Sequence, residues 1–116
     1  MIRIFAYGTL RGRGWDAEIE GFTKEDPAGM FPTIYPDPNG VVEGEVFEIP
    51  ERLLRQFDVY EGYDSDHPES SLYVRMQMKD GTHVYIANVR VHRHWKSDYE
   101  LEEVEKLLED REPNRI

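Results

Sequence analysis

The chain has 116 residues, of which 39% are hydrophobic, so we expect a single domain over residues 1–116 with one core. Its net charge of −10 argues against nucleic acids and anionic membranes as partners, because their phosphates attract Lys and Arg. The absence of cysteine excludes disulfides, thiolate metal sites and a cysteine nucleophile, and without a secretory leader or a membrane-length apolar run we expect a cytoplasmic protein.

The first predicted element is a strand that leads into a loop containing Gly8. Its side chains would alternate between two faces, with Ile2, Ile4 and Ala6 on one and Arg3, Phe5 and Tyr7 on the other. Gly8 permits backbone angles that a side chain would forbid, so the amides of residues 8–11 would be free to point the same way. Together with the Thr9 hydroxyl they would form a concavity suited to a carboxylate or an oxyanion. The alternative is an ordinary glycine turn after an edge strand.

The segment after this loop gives conflicting signals. Three apolar residues fall at helical spacings of four and three: Trp15, Ile19 and Phe22. Gly21 and Thr23 disfavour a helix there. Residues 36–40, Pro-Asp-Pro-Asn-Gly, have the composition of a turn, and residues 41–49 predict a strand.

A helix is predicted to begin near Pro50 and to end at Gly62, with an apolar face formed by Leu53, Leu54, Phe57 and Tyr60. Asp58 and Glu61 are three residues apart, so their carboxylates are neighbours near the helix C-terminus. The helix dipole and the mutual repulsion would raise the pKa of one carboxylate, which suits proton transfer. The alternative is a pair of solvated carboxylates at a helix end, which is the commoner case.

Residues 72–78 and 83–91 predict an antiparallel pair of strands joined by the favoured turn Asp80-Gly81. On the first of these strands, Tyr73 and Arg75 share one face. Both side chains could therefore reach the same region.

Residues 98–112 predict the clearest helix of the chain. Its apolar stripe repeats at helical spacing and consists of Leu101, Val104, Leu107 and Leu108. Ser97 or Asp98 could cap its start, and Pro113 lies beyond its end. We interpret this helix as cover for the core.

The histidines and serines give no recognised catalytic pattern. His92 and His94 lie two residues apart at a predicted strand end, and with His83 they could approach a metal such as zinc. Their order matches no known metal motif, so we expect solvated or hydrogen-bonded histidines and no bound metal. The serines lack the glycine-flanked elbow of a nucleophile: Ser65, Ser70, Ser71 and Ser97.

Two segments, Tyr7-Gly8-Thr9-Leu10 and Asp58-Val59-Tyr60-Glu61-Gly62, resemble the paired motifs of the gamma-glutamylcyclotransferase-like family. That family has a Tyr-Gly-(Ser/Thr)-Leu loop near the N-terminus and an Asp-x-(Tyr/Phe)-Glu-Gly segment near the middle. Three further segments follow in the family's order and at about its spacings: Phe31-Pro32, residues 42–49, and Leu72-Tyr73-Val74-Arg75. The resemblance covers residues 1 to about 91, and five ordered segments in a short chain are hard to obtain by chance.

The resemblance implies an α+β fold, a small, strongly curved, partly closed mixed β-barrel of about six strands with two packing helices. Family members carry a helix after the N-terminal loop, but this chain has too few residues for the full version. We therefore expect a shortened or lost helix and an extended segment over about residues 17–25. The cavity would lie where the Tyr7–Leu10 loop, the Glu61 segment and the Tyr73–Arg75 strand converge.

The resemblance also implies gamma-glutamyl cyclotransfer, in which the glutamyl amine attacks its own side-chain carbonyl and releases 5-oxoproline with an amine or amino acid. Glu61 would be the catalytic acid and base, whereas Asp58 would have a helix-end or tuning role. The implied substrate-binding residues are Tyr7, Gly8, Thr9, Leu10, Tyr73 and Arg75.

The implied partner is a small-molecule gamma-glutamyl substrate, and we expect a monomer or a weak homodimer. No cofactor or metal is expected, because the nucleophile is already tethered to the carbonyl it attacks. The alternative is a non-catalytic domain of the same fold that binds a small anion, since a fold does not fix a function. A metal-dependent hydrolase that uses the histidines is a more distant alternative.

Overall fold

The computed structural model describes residues 1–8, 14–26, 32–88 and 99–116. Within these ranges the strands are β1 (Ile2–Ala6), β2 (Trp15–Glu25), β3 (Thr33–Ile49), β4 (Tyr73–Gln77), β5 (His83–Ala87) and β6 (Asn114–Arg115). The α-helices are α1 (Leu54–Glu61) and α2 (Leu101–Glu109), and short 3-10 helices span Glu51–Leu53 and Pro68–Ser70. The predicted α+β class with about six strands and two helices is confirmed.

The six strands form one sheet in the order β4-β5-β1-β3-β2-β6. Neighbouring strands are antiparallel except β1 and β5, which pair in parallel. Within the described ranges the two edge strands, β4 and β6, do not pair with each other, so the sheet is not closed into the expected barrel. The edge of β2 that does not pair with β3 is instead occupied by β6.

Alternating side chains of β1 supply both faces of the sheet, as the sequence predicts. Phe5 and the following Tyr7 belong to one buried cluster, which α2 covers with its fully buried Val104 and Leu108. Ile4 and Ala6 belong to the cluster on the other face. Residues of the first helical region pack against that second cluster: Leu53, Leu54 and Phe57. The sheet therefore lies between the two helices.

The long β2–β3 ribbon resolves the conflicting signals of this part of the sequence. The extended segment expected over residues 17–25 is confirmed, because β2 runs through it. The helical spacing of its apolar residues does not decide the structure, because Gly21 has a positive φ of +85° and lies where the strand register shifts. Pairing with β3 therefore overrides the local pattern.

The predicted turn at residues 36–40 does not end a strand but forms a bulge inside β3. Pro36 pairs with Phe22 and Val41 with Glu20, so residues 37–40 of β3 face a single residue of β2. The Asp37 carboxylate accepts a hydrogen bond from the Asn39 amide at 3.0 Å, which is the local turn that this composition favours.

The remaining elements follow the sequence closely. The predicted helix ends at Gly62, which has a left-handed φ of +72°, and the β4–β5 hairpin turns at Gly81. The helix predicted over residues 98–112 is shorter, and its candidate caps lie outside the described residues. The pairing of β6 with β2 was not predicted. In the described part of the chain, no helix has the length and apolar character needed to span a membrane.

Candidate functional site

A cavity of about 360 Å³ lies between the end of β1 and the end of α1. It brings together four of the predicted site residues: Tyr7, Gly8, Glu61 and Tyr73. The walls are mainly apolar or aromatic, and Glu61 is the sole charged side chain among the described residues that line them. Val59, Tyr60 and Leu72 also line the cavity and remain exposed to solvent. Thr9 and Leu10 lie outside the described residues.

Glu61 is the last residue of α1, and the end of that helix is fixed by local bonds. The Gly62 amide donates to the Val59 carbonyl at 3.1 Å, and the Tyr63 amide donates to the Asp58 carbonyl at 2.8 Å. The Leu72 amide then donates to the Gly62 carbonyl at 2.9 Å, so the helix end is bonded to the segment that enters β4. These contacts set the position from which Glu61 reaches the cavity.

Burial raises the pKa of Glu61 above its ordinary value of 4.5. The sequence predicts a carboxylate with a raised pKa at this helix end, but it attributes the raised pKa to the helix dipole and to Asp58. The structure gives a different cause, because the side chain is partly withdrawn from water by apolar walls. A carboxylate with a raised pKa is better matched to proton exchange near neutral pH.

Two tyrosines of the cavity are neutral hydrogen-bond donors whose hydroxyls are already engaged. The Tyr7 hydroxyl donates to the backbone carbonyl of Tyr85, and the Tyr73 hydroxyl donates to the carbonyl of Pro32 at 3.2 Å. The pKa of Tyr7 is raised well above 10, mainly by burial and to a smaller extent by the neighbouring Tyr73 and Glu61. Burial, then the nearby carboxylates of Glu61 and Asp26, raise the pKa of Tyr73 to about 12. Neither hydroxyl therefore loses its proton near pH 7.

Glycine is favoured at position 8 for a reason other than the predicted one. It has no positive φ, so its backbone does not use angles reserved for glycine. A Cβ atom at this position would instead come within 3.3 Å of the Pro32 side chain, which is a tight contact. The Tyr7 carbonyl just before it accepts a hydrogen bond from the Lys24 ammonium at 3.2 Å.

Arg75 and Asp58 do not line this cavity. The Arg75 guanidinium donates to both carboxylate oxygens of Asp58, from Nε at 2.8 Å and from Nη2 at 3.2 Å. The Tyr85 hydroxyl donates to the same carboxylate at 2.7 Å. Asp58 is 7% exposed, so the expectation that it is a solvated helix-end residue is wrong. Burial is tolerated because three charge-assisted hydrogen bonds replace its water.

Sequence reasoning missed Tyr85, which lines the cavity and also contacts Asp58. A signal was available in the predicted hairpin, because Arg75 and Tyr85 face each other across the β4–β5 pair. An arginine and a tyrosine at opposed positions offer two donors on one face of the sheet, which is a receptor for a buried carboxylate.

His83 lies beside the hydrogen-bonded group of Asp58, Arg75 and Tyr85, and the described residues form no group of metal ligands around it. Its Nδ1 is 3.1 Å from Arg75 Nη1, and since a guanidinium only donates, Nδ1 accepts and the ring is neutral. Burial and then Arg75 lower the pKa of His83, whereas Asp58 opposes the change. Across the described ranges, no three His, Asp or Glu side chains are placed to hold a metal, and His92 and His94 lie outside those ranges.

Comparison with known proteins identifies the family. The sequence model described as "Gamma-glutamyl cyclotransferase, AIG2-like" matches residues 4–107. A search of curated proteins and a search of solved structures gave no significant match. The family match spans most of the sequence, including both paired motifs, so the chain belongs to the AIG2-like gamma-glutamyl cyclotransferase family.

Proposed function

We propose that this member of the AIG2-like gamma-glutamyl cyclotransferase family converts a gamma-glutamyl amine or amino acid into 5-oxoproline, with Glu61 as the general acid and base. The observation that carries the proposal is the placement of Glu61 as the sole charged side chain among the described residues of an apolar cavity. Its raised pKa brings this carboxylate closer to the pH at which it would exchange protons.

The reaction needs proton transfers and one ring closure. The substrate ammonium has a pKa of roughly 8 and cannot attack while it is protonated, so Glu61 accepts one of its protons. The freed nitrogen attacks the side-chain carbonyl carbon of the same glutamyl group, and a five-membered ring closes. Glu61, now protonated, donates its proton to the leaving nitrogen as the carbon–nitrogen bond breaks. The ring nitrogen still carries one surplus proton, which the regenerated Glu61 carboxylate accepts and passes to the released amine. The products are 5-oxoproline and the amine as its ammonium ion, and Glu61 is again a carboxylate.

The cavity would contribute by holding the glutamyl group bent. Because nucleophile and carbonyl belong to one molecule, most of the entropic cost of reaction is met once that conformation is fixed. We assign this role to Tyr7, Gly8 and Tyr73, which line the cavity with Glu61. The amides of residues 8–10 are proposed to donate to the substrate carboxylate or to the developing oxyanion, where loss of one donor costs about a hundredfold in rate.

A panel of gamma-glutamyl amines and gamma-glutamyl amino acids, assayed for 5-oxoproline, tests the proposal. The expected result is turnover of at least one compound by the wild-type protein and almost none by the Glu61→Gln variant. Saturable binding of these compounds without any 5-oxoproline would instead support the non-catalytic alternative. Equal turnover by both proteins would remove Glu61 from the mechanism.

A further inference from the structure

We propose that Asp58 is a positioning residue, which anchors α1 to the β4–β5 hairpin through Arg75 and Tyr85 and thereby holds Glu61 in the cavity wall. This inference rests on the proposed function, since it concerns the group assigned there as acid and base. It gives Arg75 a role other than substrate binding, and it specifies how Asp58, assigned from the sequence a helix-end or tuning role, would act on Glu61.

The first argument is the geometry of the anchor. Arg75 on β4 and Tyr85 on β5 are register partners, so their side chains arise at one point of the hairpin. Both converge on Asp58, with three hydrogen bonds of 2.8, 3.2 and 2.7 Å. Asp58 precedes Glu61 by three residues on the same helix, which is less than one turn. A displacement of Asp58 would therefore move Glu61 with it.

The second argument is that the anchor is itself held from other sides. Arg75 Nη1 lies 3.1 Å from His83 Nδ1, and the guanidinium lies 5.6 Å from the centre of the Tyr63 ring. The Tyr85 carbonyl accepts the hydrogen bond from the Tyr7 hydroxyl. Tyr85 therefore contacts Asp58 with its side-chain hydroxyl and the cavity residue Tyr7 with its main-chain carbonyl. The helix end, the hairpin and the end of β1 are fixed relative to one another.

The third argument is that Asp58 is unsuited to act on a substrate directly. Both of its carboxylate oxygens accept hydrogen bonds from Arg75, and one of them also accepts from Tyr85. The residue is 7% exposed and does not line the cavity that contains Glu61. A carboxylate with its oxygens so engaged, and absent from the lining of that cavity, is placed to orient a helix rather than to exchange protons with a substrate held beside Glu61.

The experiment compares wild type with Tyr85→Phe, which keeps the ring in the cavity wall and removes one hydroxyl from the anchor. We expect kcat on the best gamma-glutamyl substrate to fall by about tenfold with KM within about twofold, because misplacing a catalytic group costs turnover more than binding. We expect the pKa of Glu61, measured by carbon-13 NMR, to fall toward 4.5 as the side chain reaches water.

Asp58→Asn is the stronger variant, with an expected loss in kcat of about a hundredfold. If Asp58 acts through Glu61, adding Asp58→Asn to Glu61→Gln should leave the residual rate of Glu61→Gln unchanged. If the two residues act independently, the fold-losses of the two substitutions should multiply. The matched control is Asp80→Asn, which weakens a second Asp–Arg pair, with Arg3, outside the cavity. Its kcat should stay within about twofold of wild type.

The outcomes separate the inference from the proposed function. If wild type releases no 5-oxoproline from any compound, the proposed function fails, and the NMR titration alone decides on the anchor. Should Asp58→Asn fail to fold, Tyr85→Phe decides. A folded Tyr85→Phe protein with wild-type kcat and an unchanged Glu61 pKa would overturn the positioning role.

Discussion

The Arg75 guanidinium binds the Asp58 carboxylate through two hydrogen bonds, and this pair lies beside the cavity rather than in it. The two carboxylates of the Asp-x-x-Glu motif, less than one helical turn apart, therefore have different surroundings. Asp58 faces the hairpin and is paired with a cation there, whereas Glu61 faces an apolar wall without a cation among its described residues. Because nothing in that wall offsets the loss of water, the pKa of Glu61 is raised, which favours proton exchange.

Glu61→Gln should lower kcat for 5-oxoproline formation by about a hundred- to ten-thousandfold, because Gln keeps the shape of Glu but accepts no proton at neutral pH. Binding of the substrate, measured by calorimetry with the inactive variant, should remain largely intact. Glu51→Gln is the control, since Glu51 is exposed and lies outside the cavity. A Glu61→Gln protein that had lost affinity and kept kcat would contradict the assigned role.

The same substitution should stabilise the protein at neutral pH. The folded state binds a proton on Glu61 more tightly than the unfolded state does, since the folded pKa lies above 4.5. The free energy of unfolding therefore falls as pH rises through the window above 4.5, and the loss persists at pH 7. Glu61→Gln has no charge to bury, so its urea midpoint should exceed that of wild type at pH 7.

This advantage should disappear in acid. At about pH 3, well below 4.5, both states of the wild type hold the proton on Glu61, and the two urea midpoints should converge. A wild type that is more stable than Glu61→Gln at pH 7 would show that the carboxylate is stabilised by contacts outside the described residues. In that case burial would not be the dominant influence on its pKa.

Local signals in the sequence predicted the parts of the site that local structure determines. Gly62 ends the helix at Glu61 because a left-handed residue is needed there, and the alternation around Phe5 sets the two faces of β1. Family resemblance added the expectation that the Tyr7 loop lies near Glu61, and of that loop the described residues Tyr7 and Gly8 line one cavity with Glu61. These features depend on residues close in sequence or on motifs that are contiguous.

What the sequence did not predict depends on contacts between distant segments. Asp58 is buried because a hairpin 17 residues further along supplies Arg75. β6 forms because a short C-terminal segment meets β2, and residues 37–40 bulge within β3 because β2 pairs on both sides of them. Neither helical periodicity nor turn composition carries information about such pairings.

Gly62→Ala should both destabilise the fold and reduce turnover. Its φ of +72° is unfavourable for alanine by about 1–2 kcal/mol, and the new Cβ would lie 3.0 Å from Leu72 side-chain atoms. Gly81→Ala is a matched control, because Gly81 has a φ of +88° and a Cβ added there would have no atom within 4 Å. Urea unfolding should show a larger loss for Gly62→Ala, and only that variant should lower kcat. Equal losses in both assays would mean that the contact with Leu72 does not position Glu61.

Exhaustive chelation should leave the rate of 5-oxoproline formation unchanged. The proposed chemistry needs only a tethered amine, a carbonyl and one carboxylate that exchanges a proton, so no Lewis acid takes part in it. The measurement is the initial rate before and after dialysis against a strong chelator, followed by addition of zinc. Activity that vanished on chelation and returned with zinc would favour the metal-dependent alternative.

His83 should make the fold sensitive to mild acid. Burial and Arg75 lower its folded pKa below 6.5, so as pH falls the unfolded state binds the proton first. Stability is unaffected by His83 well above pH 6.5 and falls as pH drops below it. Protonation would also place a donor on Nδ1 against the donor Arg75 Nη1, which breaks the contact of 3.1 Å beside Asp58.

His83→Gln tests this dependence, because the Gln amide oxygen accepts from Arg75 at any pH. Urea midpoints at pH 7.5, 6.5 and 5.5 should decline less in this variant than in wild type, even if its midpoint at pH 7.5 is lower. His67→Gln is the control: His67 is largely exposed, so its substitution should leave the wild-type decline in place. Parallel declines in wild type and His83→Gln would locate the acid sensitivity elsewhere, and the Arg75–Asp58 pair would then be insensitive to the charge of His83.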